Sequence, residues 1–325
     1  MPNPTAGQVH VDVLLTDISV AYLQSSTKFV ADRLFPRVPV QRQSDKYAIY
    51  SQADFLRDEV DKRAPGSGPV RLGYRTSSTS YAADEWAAEH AIDDQVRANV
   101  SAPFAPEENA VGFLTQKMMI KREKQFITNF MSTGNLWTGS SDGQDLIGGS
   151  DFVRWSNAAS TPIEDIHAQM ARIEQATGFL PNKLALNRVG WFDLKNHPDI
   201  VDRVKYTSKD AISTDIVARL LGIDEILIAA GVQNTAVENT PGTYAYLSAD
   251  NALLVYAAPA PSLMQPSGGY TFAWTGLIGS NEGQVIETYR DDRSVSDIIR
   301  IRAAWAQKIV ASGVGVFFKD TSTRM

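Results

Sequence analysis

The stretch PFAPEENAVGFLTQKMMIKREKQFITNFMST, residues 103–133, decides how the rest of the chain is read. Glu107 and Glu108 stand at its start and Lys121, Arg122 and Lys124 in its later half, the order that a helix macrodipole favours. Phe113, Ile120, Ile127 and Met131 recur at helical spacing, and Met119, Phe126 and Phe130 widen that line into a broad apolar face. Lys117, Lys121, Lys124 and Thr128 line the opposite stripe. Gly134 is the expected stop. A helix this long with one wide apolar face is a structural spine, and the flanking segments are read by what they lay against it.

On the N-terminal side, residues 1–40 read as an extended arm. Val9 to Val20 alternates weakly. Phe29-Val-Ala-Asp-Arg-Leu-Phe35 follows, and Pro36 and Pro39 bias Phe35 and Val38 to extended backbone. Residues 41–92 form an excursion. Residues 46–50 and 71–81 are expected strands, and between them Arg57-Asp-Glu-Val-Asp-Lys-Arg63 and Pro65-Gly-Ser-Gly-Pro69 describe an exposed tip. A two-stranded excursion with so few large apolar groups is marginal alone in water and needs something else to lie on.

On the C-terminal side, residues 135–158 are a Gly/Ser-rich loop. Residues 161–258 read as a compact α/β unit. Thr161-Pro-Ile-Glu164 has the pattern of a capping box with proline at the first helical position. Ile163, Ile166, Met170 and Ile173 make its core stripe, ended by Gly178. A strand at 184–186 follows, then a helix over 188–196 halted by Pro198 and a helix over 213–221 halted by Gly222. Apolar runs at 225–230, 244–248 and 253–257 predict buried strands. Pro259, Pro261 and Pro266 make a rigid crossing into long antiparallel strands at 270–274, 284–290 and 296–309. The class is α+β, and no internal repeat is present.

Composition narrows the chemistry. The chain has 325 residues, 43% hydrophobic and 21% charged, which fits a packed protein of two or three domains or one large fold with an excursion. It has no cysteine, so disulfides, zinc-thiolate sites and cysteine nucleophiles are excluded, and its four histidines leave little for a multi-histidine metal site. Its net charge of −6 gives no global pull toward nucleic acid. No apolar run is long enough for a membrane span, and Met1 to Gly7 lacks the pattern of a signal peptide, so the expected setting is cytosolic and without a membrane partner. Gly139-Ser-Ser-Asp-Gly143 matches G-x-S-x-G and nominates Ser141, with His167 or His197 as base, for a serine hydrolase. A nucleophile elbow needs a buried strand before it and a helix after it, and here a helix and Gly134 precede it. Ser25-Ser-Thr-Lys28 matches S-x-x-K without its companion motifs. Asp84, Glu85, Glu89, Asp93 and Asp94 have the composition of a hard-cation site, but such runs are usually ion-paired faces. The stripe of Lys117, Lys121 and Lys124 reads as a solvated helix face. No cofactor motif occurs. Asn99-Val-Ser101 is a glycosylation sequon, idle outside a secretory pathway.

Six segments in order carry a resemblance: ADRLFPRVPV (31–40), KYAIY (46–50), WFDLKNHPDIVDRVKY (191–206), LLGIDEILI (220–228), ALLVYAAPAPSL (252–263) and GYTFAW (269–274). Together they resemble the major capsid proteins of tailed bacteriophages, with the HK97-type shell fold. The resemblance implies an N-terminal arm at 1–40, an extended E-loop at 41–92, a peripheral (P) domain at 93–150 holding the spine helix, an axial (A) domain at 151–258, and a return through the P domain at 259–325. It implies a non-enzymatic protein whose partner is itself, as pentamers and hexamers of an icosahedral shell around double-stranded DNA. A separate scaffolding protein, a portal and a decoration protein are the further implied partners, and the virion, assembled in the host cytoplasm, is the implied location. Arg57, Asp58, Glu59, Asp61, Lys62, Arg63 and Phe35 are the candidate intersubunit contacts. No motif fixes a Lys, Asn and Glu triplet for covalent crosslinking through Lys62. An encapsulin-like compartment shares the implied fold and is the alternative; the serine hydrolase is the distant one.

Overall fold

The structure, a computed structural model, describes residues 23–100, 105–205, 212–260, 265–278 and 283–323. The alternation at Val9–Val20, the sequon's Ser101, Tyr206, and Pro261 to Leu263 lie outside them. The arm contributes α1 (Ala31–Leu34) and β1 (Arg37–Val40). The excursion contributes β2 (Ser44–Tyr50), α2 (Gln52–Phe55) and β3 (Thr76–Ala82). Then come β4 (Asp84–Asp93), α3 (Asp94–Asn99) and the spine helix α4 (Pro106–Phe130). The α/β unit holds β5 (Leu146–Ile147), α5 (Pro162–Thr177), β6 (Lys183–Asn187), α6 (Arg188–Lys195), α7 (Pro198–Val204), α8 (Thr214–Leu221), β7 (Glu225–Ala229), β8 (Val232–Asn234), β9 (Tyr244–Tyr246) and β10 (Ala252–Val255). The return holds β11 (Gly269–Trp274), α9 (Thr275–Ile278), β12 (Gln284–Asp291), β13 (Ser296–Ile309) and β14 (Gly315–Lys319).

Two five-stranded sheets organise these elements. In the first, the long strand β13 pairs antiparallel with β4 through its first ten residues and with β12 through its first eight. Its last five residues pair with β11, which in turn pairs in parallel with β1 from the arm. Pro39 sits in that edge strand, where its missing N–H is tolerated. The second sheet runs β5-β14-β10-β6-β7, and its β6–β7 pair is parallel. Leu253 and Val255 on one face of β10, and Ala252 and Leu254 on the other, are all fully buried, because this sheet is covered on both sides.

The spine helix serves both sheets. Ala110, Leu114 and Met118 in its first half pack with Ile299, Ile301 and Trp305 of β13. Phe126, Ile127 and Phe130 in its second half pack with Phe35 of the arm, Trp137 and the β10 residues Leu253 and Val255. The expected apolar line therefore holds at 126, 127, 130 and 131 but fails at Phe113, which is 39% exposed. The buried stripe climbs by fours through 110, 114, 118, 122, 126 and 130, and its fourth position is Arg122. That charge interrupts the hydrophobic signal. The guanidinium is nonetheless buried, 4.7 Å above the Trp305 ring and 3.1 Å from an Asp32 carboxylate oxygen.

Several expectations are corrected. The spine helix ends at Phe130 with Met131 as cap, before Gly134; the Trp137 indole N–H takes the Phe130 carbonyl at 2.8 Å. The Thr161–Glu164 capping box does not form, because Glu164 is drawn to Arg203 on α7 at 2.5 Å and the Thr161 side chain makes no cap. Pro198 does not simply halt a helix. It is the first residue of α7, capped by His197, whose Nδ1 accepts the Asp199 N–H at 3.2 Å. The 244–248 run is not a buried strand: Tyr244 is 75% exposed in the short β8–β9 hairpin. β14 lies within the expected P-domain return yet pairs with β10, so the second sheet draws on both sides of the expected boundary at 258. Gly178 and Gly222 do end α5 and α8, each in the left-handed region that glycine tolerates.

Phe35 is the arm's anchor. It is fully buried, with its ring centroid 4.9 Å from those of Phe126 and Phe130 and 6.2 Å from that of Trp137. Phe35→Ala is expected to lower unfolding stability by about 3–5 kcal/mol, read as a shift in the denaturant midpoint at unchanged slope.

Candidate assembly surface

The excursion is tied to the molecule at its root. Tyr81 at the end of β3 stacks on Phe272 of β11 with centroids 4.5 Å apart, and Tyr47 of β2 meets the same ring at 5.4 Å. These contacts hold β2 and β3 in register, Ser44 opposite Ala82 and Tyr50 opposite Thr76. Beyond the root most of the hairpin is exposed, although Ile49 is half-buried and the Gln52 side chain donates to the Ala176 carbonyl near the end of α5.

The base of the tip is locked by one carboxylate. Asp54 accepts from the Arg75 backbone N–H at 2.9 Å, from its Nε at 3.0 Å and from its Nη2 at 2.9 Å. The Arg75 guanidinium holds the Asp54 carboxyl well below the usual carboxylate range. Around this clamp Tyr50, Phe55 and Tyr74 form a triangle of rings with centroids 5.5–5.9 Å apart, all facing solvent. Leu56, Val60, Val70 and Leu72 are also more than half exposed. The tip closes in a turn in which the Ser67 N–H reaches the Ala64 carbonyl at 3.1 Å, with Gly66 at φ +86°. Arg57, Asp58, Asp61, Lys62 and Arg63 are exposed, and Glu59 is partly covered by its 2.8 Å pair with Arg57. Arg63 donates to the Ser67 carbonyl within the tip. So six of the seven candidate contact residues lie together on one exposed loop. The seventh, Phe35, does not join them: its ring fills the chain's own core. The aromatic triangle was missed, because Tyr50 and Tyr74 read as ordinary strand residues and only their convergence on Phe55 makes a patch.

The other motifs fall into structural roles. Ser141 is exposed in a turn closed by the Gly143 N–H on the Ser140 carbonyl, with no strand before it and no helix after it. The Nε2 atoms of His167 and His197 are engaged elsewhere, with the Leu221 carbonyl at 3.2 Å and with Ser160 Oγ at 2.9 Å. Ser25 caps a short turn. Glu85, Glu89 and Asp94 pair with Arg302, Arg300 and Arg290 across the first sheet at 2.6–3.0 Å. Among the described residues no group of three metal-ligating side chains occurs, and no helix is long and apolar enough to cross a membrane. Lys117 and Lys121 lie over the rings of Phe113 and Trp86 at 5.2 and 4.1 Å.

No family model matches the sequence. It is 24% identical over 325 residues to a major capsid protein of Pseudomonas phage JBD67, covering 95% of this chain and 96% of the relative. It is 23% identical over 226 residues to a major capsid protein of Burkholderia phage BcepMu, covering 68% of this chain and 69% of the relative. A crystal structure of a phage-related protein from Bordetella bronchiseptica RB50 superposes with a TM-score of 0.70 at 21% identity, covering 92% and 93% of the two chains. The capsid of cyanophage P-SCSP1u gives 0.60 at 10% identity, covering 95% and 92%. The SrpI encapsulin of Synechococcus elongatus PCC 7942 gives 0.51 at 12% identity, covering 96% and 95%. The fold is the HK97-type shell fold, an α+β arrangement around a spine helix with an extended hairpin.

Asp54→Asn is expected to loosen the tip without unfolding the subunit. Tryptic cleavage after Arg57, Lys62 and Arg63 should quicken severalfold while the melting transition stays in place. In the parent, hydrogen-exchange protection of the Arg75 amide, which Asp54 accepts, should persist at pH 4, since the paired carboxyl stays ionised there, and weaken only at lower pH.

Proposed function

We propose that this chain is a major capsid protein of a tailed bacteriophage, and that copies of it build the icosahedral head around double-stranded DNA. The observation that carries the reading is the excursion. Residues 51–75 leave a well-packed body, expose an aromatic triangle and charges of both signs, and contribute no buried hydrophobic side chain. Exposed apolar surface gathered in this way marks an interaction site. The partner that fits is a second copy, because a closed symmetric shell repeats the contact at every subunit. The near full-length likeness to a curated phage capsid protein supports the same reading. The encapsulin-like compartment keeps the weaker superposition as its support.

The chain acts by association rather than by catalysis. A separate scaffolding protein and a portal would set shell size and provide the DNA entry, and a decoration protein would bind outside. The shell would form in the host cytoplasm and reside in the virion. DNA would be held without sequence-specific contacts. Lys117 and Lys121 already stack on aromatic rings, and the net charge of −6 has the sign of the packaged polymer.

Replacing residues 52–70 with a short Gly/Ser turn tests the reading. The circular dichroism spectrum and melting transition should stay close to the parent, because the excised side chains lie outside the core. Shells, seen by negative-stain microscopy and sedimentation when the parent is expressed with scaffold and portal, should be lost. Normal shells from this variant would remove the excursion from the assembly contact, and an unfolded variant would place it in the core. Free subunits should also fail to retain double-stranded DNA at physiological salt. Retention that is abolished by Lys124→Glu would assign the spine's basic stripe to phosphate binding.

A further inference from the structure

Among the described residues, those other than glycine that take left-handed backbone are Asn135, Asn239, Asp320 and Val295. Asparagine and aspartate tolerate that region, because their short polar side chains hydrogen-bond locally. A β-branched side chain does not, yet Val295 stands there at φ +50°. It lies in the turn between β12 and β13, at one end of the first sheet. Hydrogen bonds brace this turn. Asp291 accepts the Arg293 N–H at 3.0 Å and the Ser294 hydroxyl at 2.7 Å. The Val295 carbonyl accepts the Asp94 N–H at 3.3 Å, and Arg290 holds the Asp94 carboxylate through two bonds of 2.6 Å. Glycine at 295 would make the same backbone bond without the steric cost, so the strain comes from the side chain alone. That side chain is 52% exposed, and packing within the subunit offsets little of the strain. Beside it two opposite charges face solvent. The Asp292 side chain is 99% exposed, with Arg290 no nearer than 3.9 Å, and Arg293 is exposed with no carboxylate within 4 Å among the described residues.

We propose that the β12–β13 turn is a contact between copies of this chain, in which the Val295 side chain packs into a second copy and Asp292 of each copy meets Arg293 of the next. Strained residues persist where their surroundings over-determine them, and they gather at functional positions. Here the surroundings hold the backbone rigidly while the side chain points away from the subunit's own core. The charges name the occupant. Adjacent residues of opposite sign are their own complement when copies meet head to tail, and such a contact closes into a ring around a symmetry axis. A nucleic acid or a strongly acidic partner would match only one of the two signs. This contact rests on the shell reading and is separate from the excursion.

The full-length chain, expressed with scaffold and portal, provides the test. Val295→Gly should leave the melting transition of the free subunit in place or raise it by a few degrees, while the yield of shells falls severalfold. Shells at the parental yield overturn the contact, and so does a lowered melting transition, which would place the side chain in the subunit's own packing. Asp292→Arg and Arg293→Asp should each lower the yield, and the double exchange should restore it, since the two signs then meet in reverse. Single exchanges without effect, or a double exchange that stays defective, overturn the second copy as occupant. If the parent itself forms no shells, the shell reading falls, and sedimentation equilibrium of the free subunits decides. Weaker self-association in Val295→Gly than in the parent upholds the contact, and equal self-association overturns it.

Discussion

One helix has to satisfy two sheets at once, and most of the architecture follows from that demand. The apolar stripe of Pro106–Phe130 advances by four residues at each step, so it winds slowly about the helix axis. Its first half faces β13 and its second half faces β10 and the arm. At the handover neither sheet supplies a continuous apolar wall, and Arg122 and Glu123 occupy the seam. Both are buried, and both bind the arm, Arg122 through Asp32 and Glu123 through two backbone amides. The arm is thus the third body that closes the seam. Its anchor, Phe35, stands against Gly269 of β11, where a Cβ would lie 2.3 Å from the ring. Trp137 stands against Gly315 in the same way, at 2.4 Å. Both aromatic anchors depend on positions without side chains, so an alanine at either glycine would push a ring out of the seam.

Much of this was legible in the sequence because local signals agreed with the final packing. β13 was read at its observed limits, since Ile298, Ile299, Ile301 and Trp305 sit in a long run free of breakers. Gly178 and Gly222 mark helix ends because each follows an amphipathic run and takes up the left-handed backbone that glycine tolerates. What was not legible depended on distant partners. The spine's apolar line was placed on Phe113 instead of Leu114 because the true stripe passes through a charged residue whose burial is provided by Trp305 and Asp32. The capping box at Thr161 has the right letters, yet Glu164 finds a stronger partner in Arg203. The short strand at Gly315–Lys319 gave no period of its own and is defined by pairing with β10.

The candidate assembly surface shows the same division. Its charged residues were visible as a run, because charge with Gly and Pro is a local signal of exposure. Its aromatic triangle was not, because Tyr50, Phe55 and Tyr74 meet only when the hairpin folds back on itself. Phe35, which stands near the end of the arm just before Pro36, is among the expected contact residues. In the structure the arm turns inward at that point, and the ring joins the Phe126, Phe130 and Trp137 cluster. A hydrophobic residue in an extended segment announces that it will be buried, without saying whose core will bury it.

The connection between excursion and body has a mechanical side. β3 ends at Ala82 and β4 begins at Asp84, so any tug on the excursion travels straight into β4. β4 runs beside β13 through ten antiparallel partners, from Asp93 opposite Ser296 to Asp84 opposite Trp305. Ladder hydrogen bonds lie across the strand direction, so a pull along β4 loads them together, in shear, instead of peeling them one after another. Glu89 and Arg300, opposite one another in that ladder, add a cross-strand tie on the same line. The joint is therefore stiff to axial tension and yields more easily to a sideways lift. The excursion can be strained along its length without the subunit unravelling from that end.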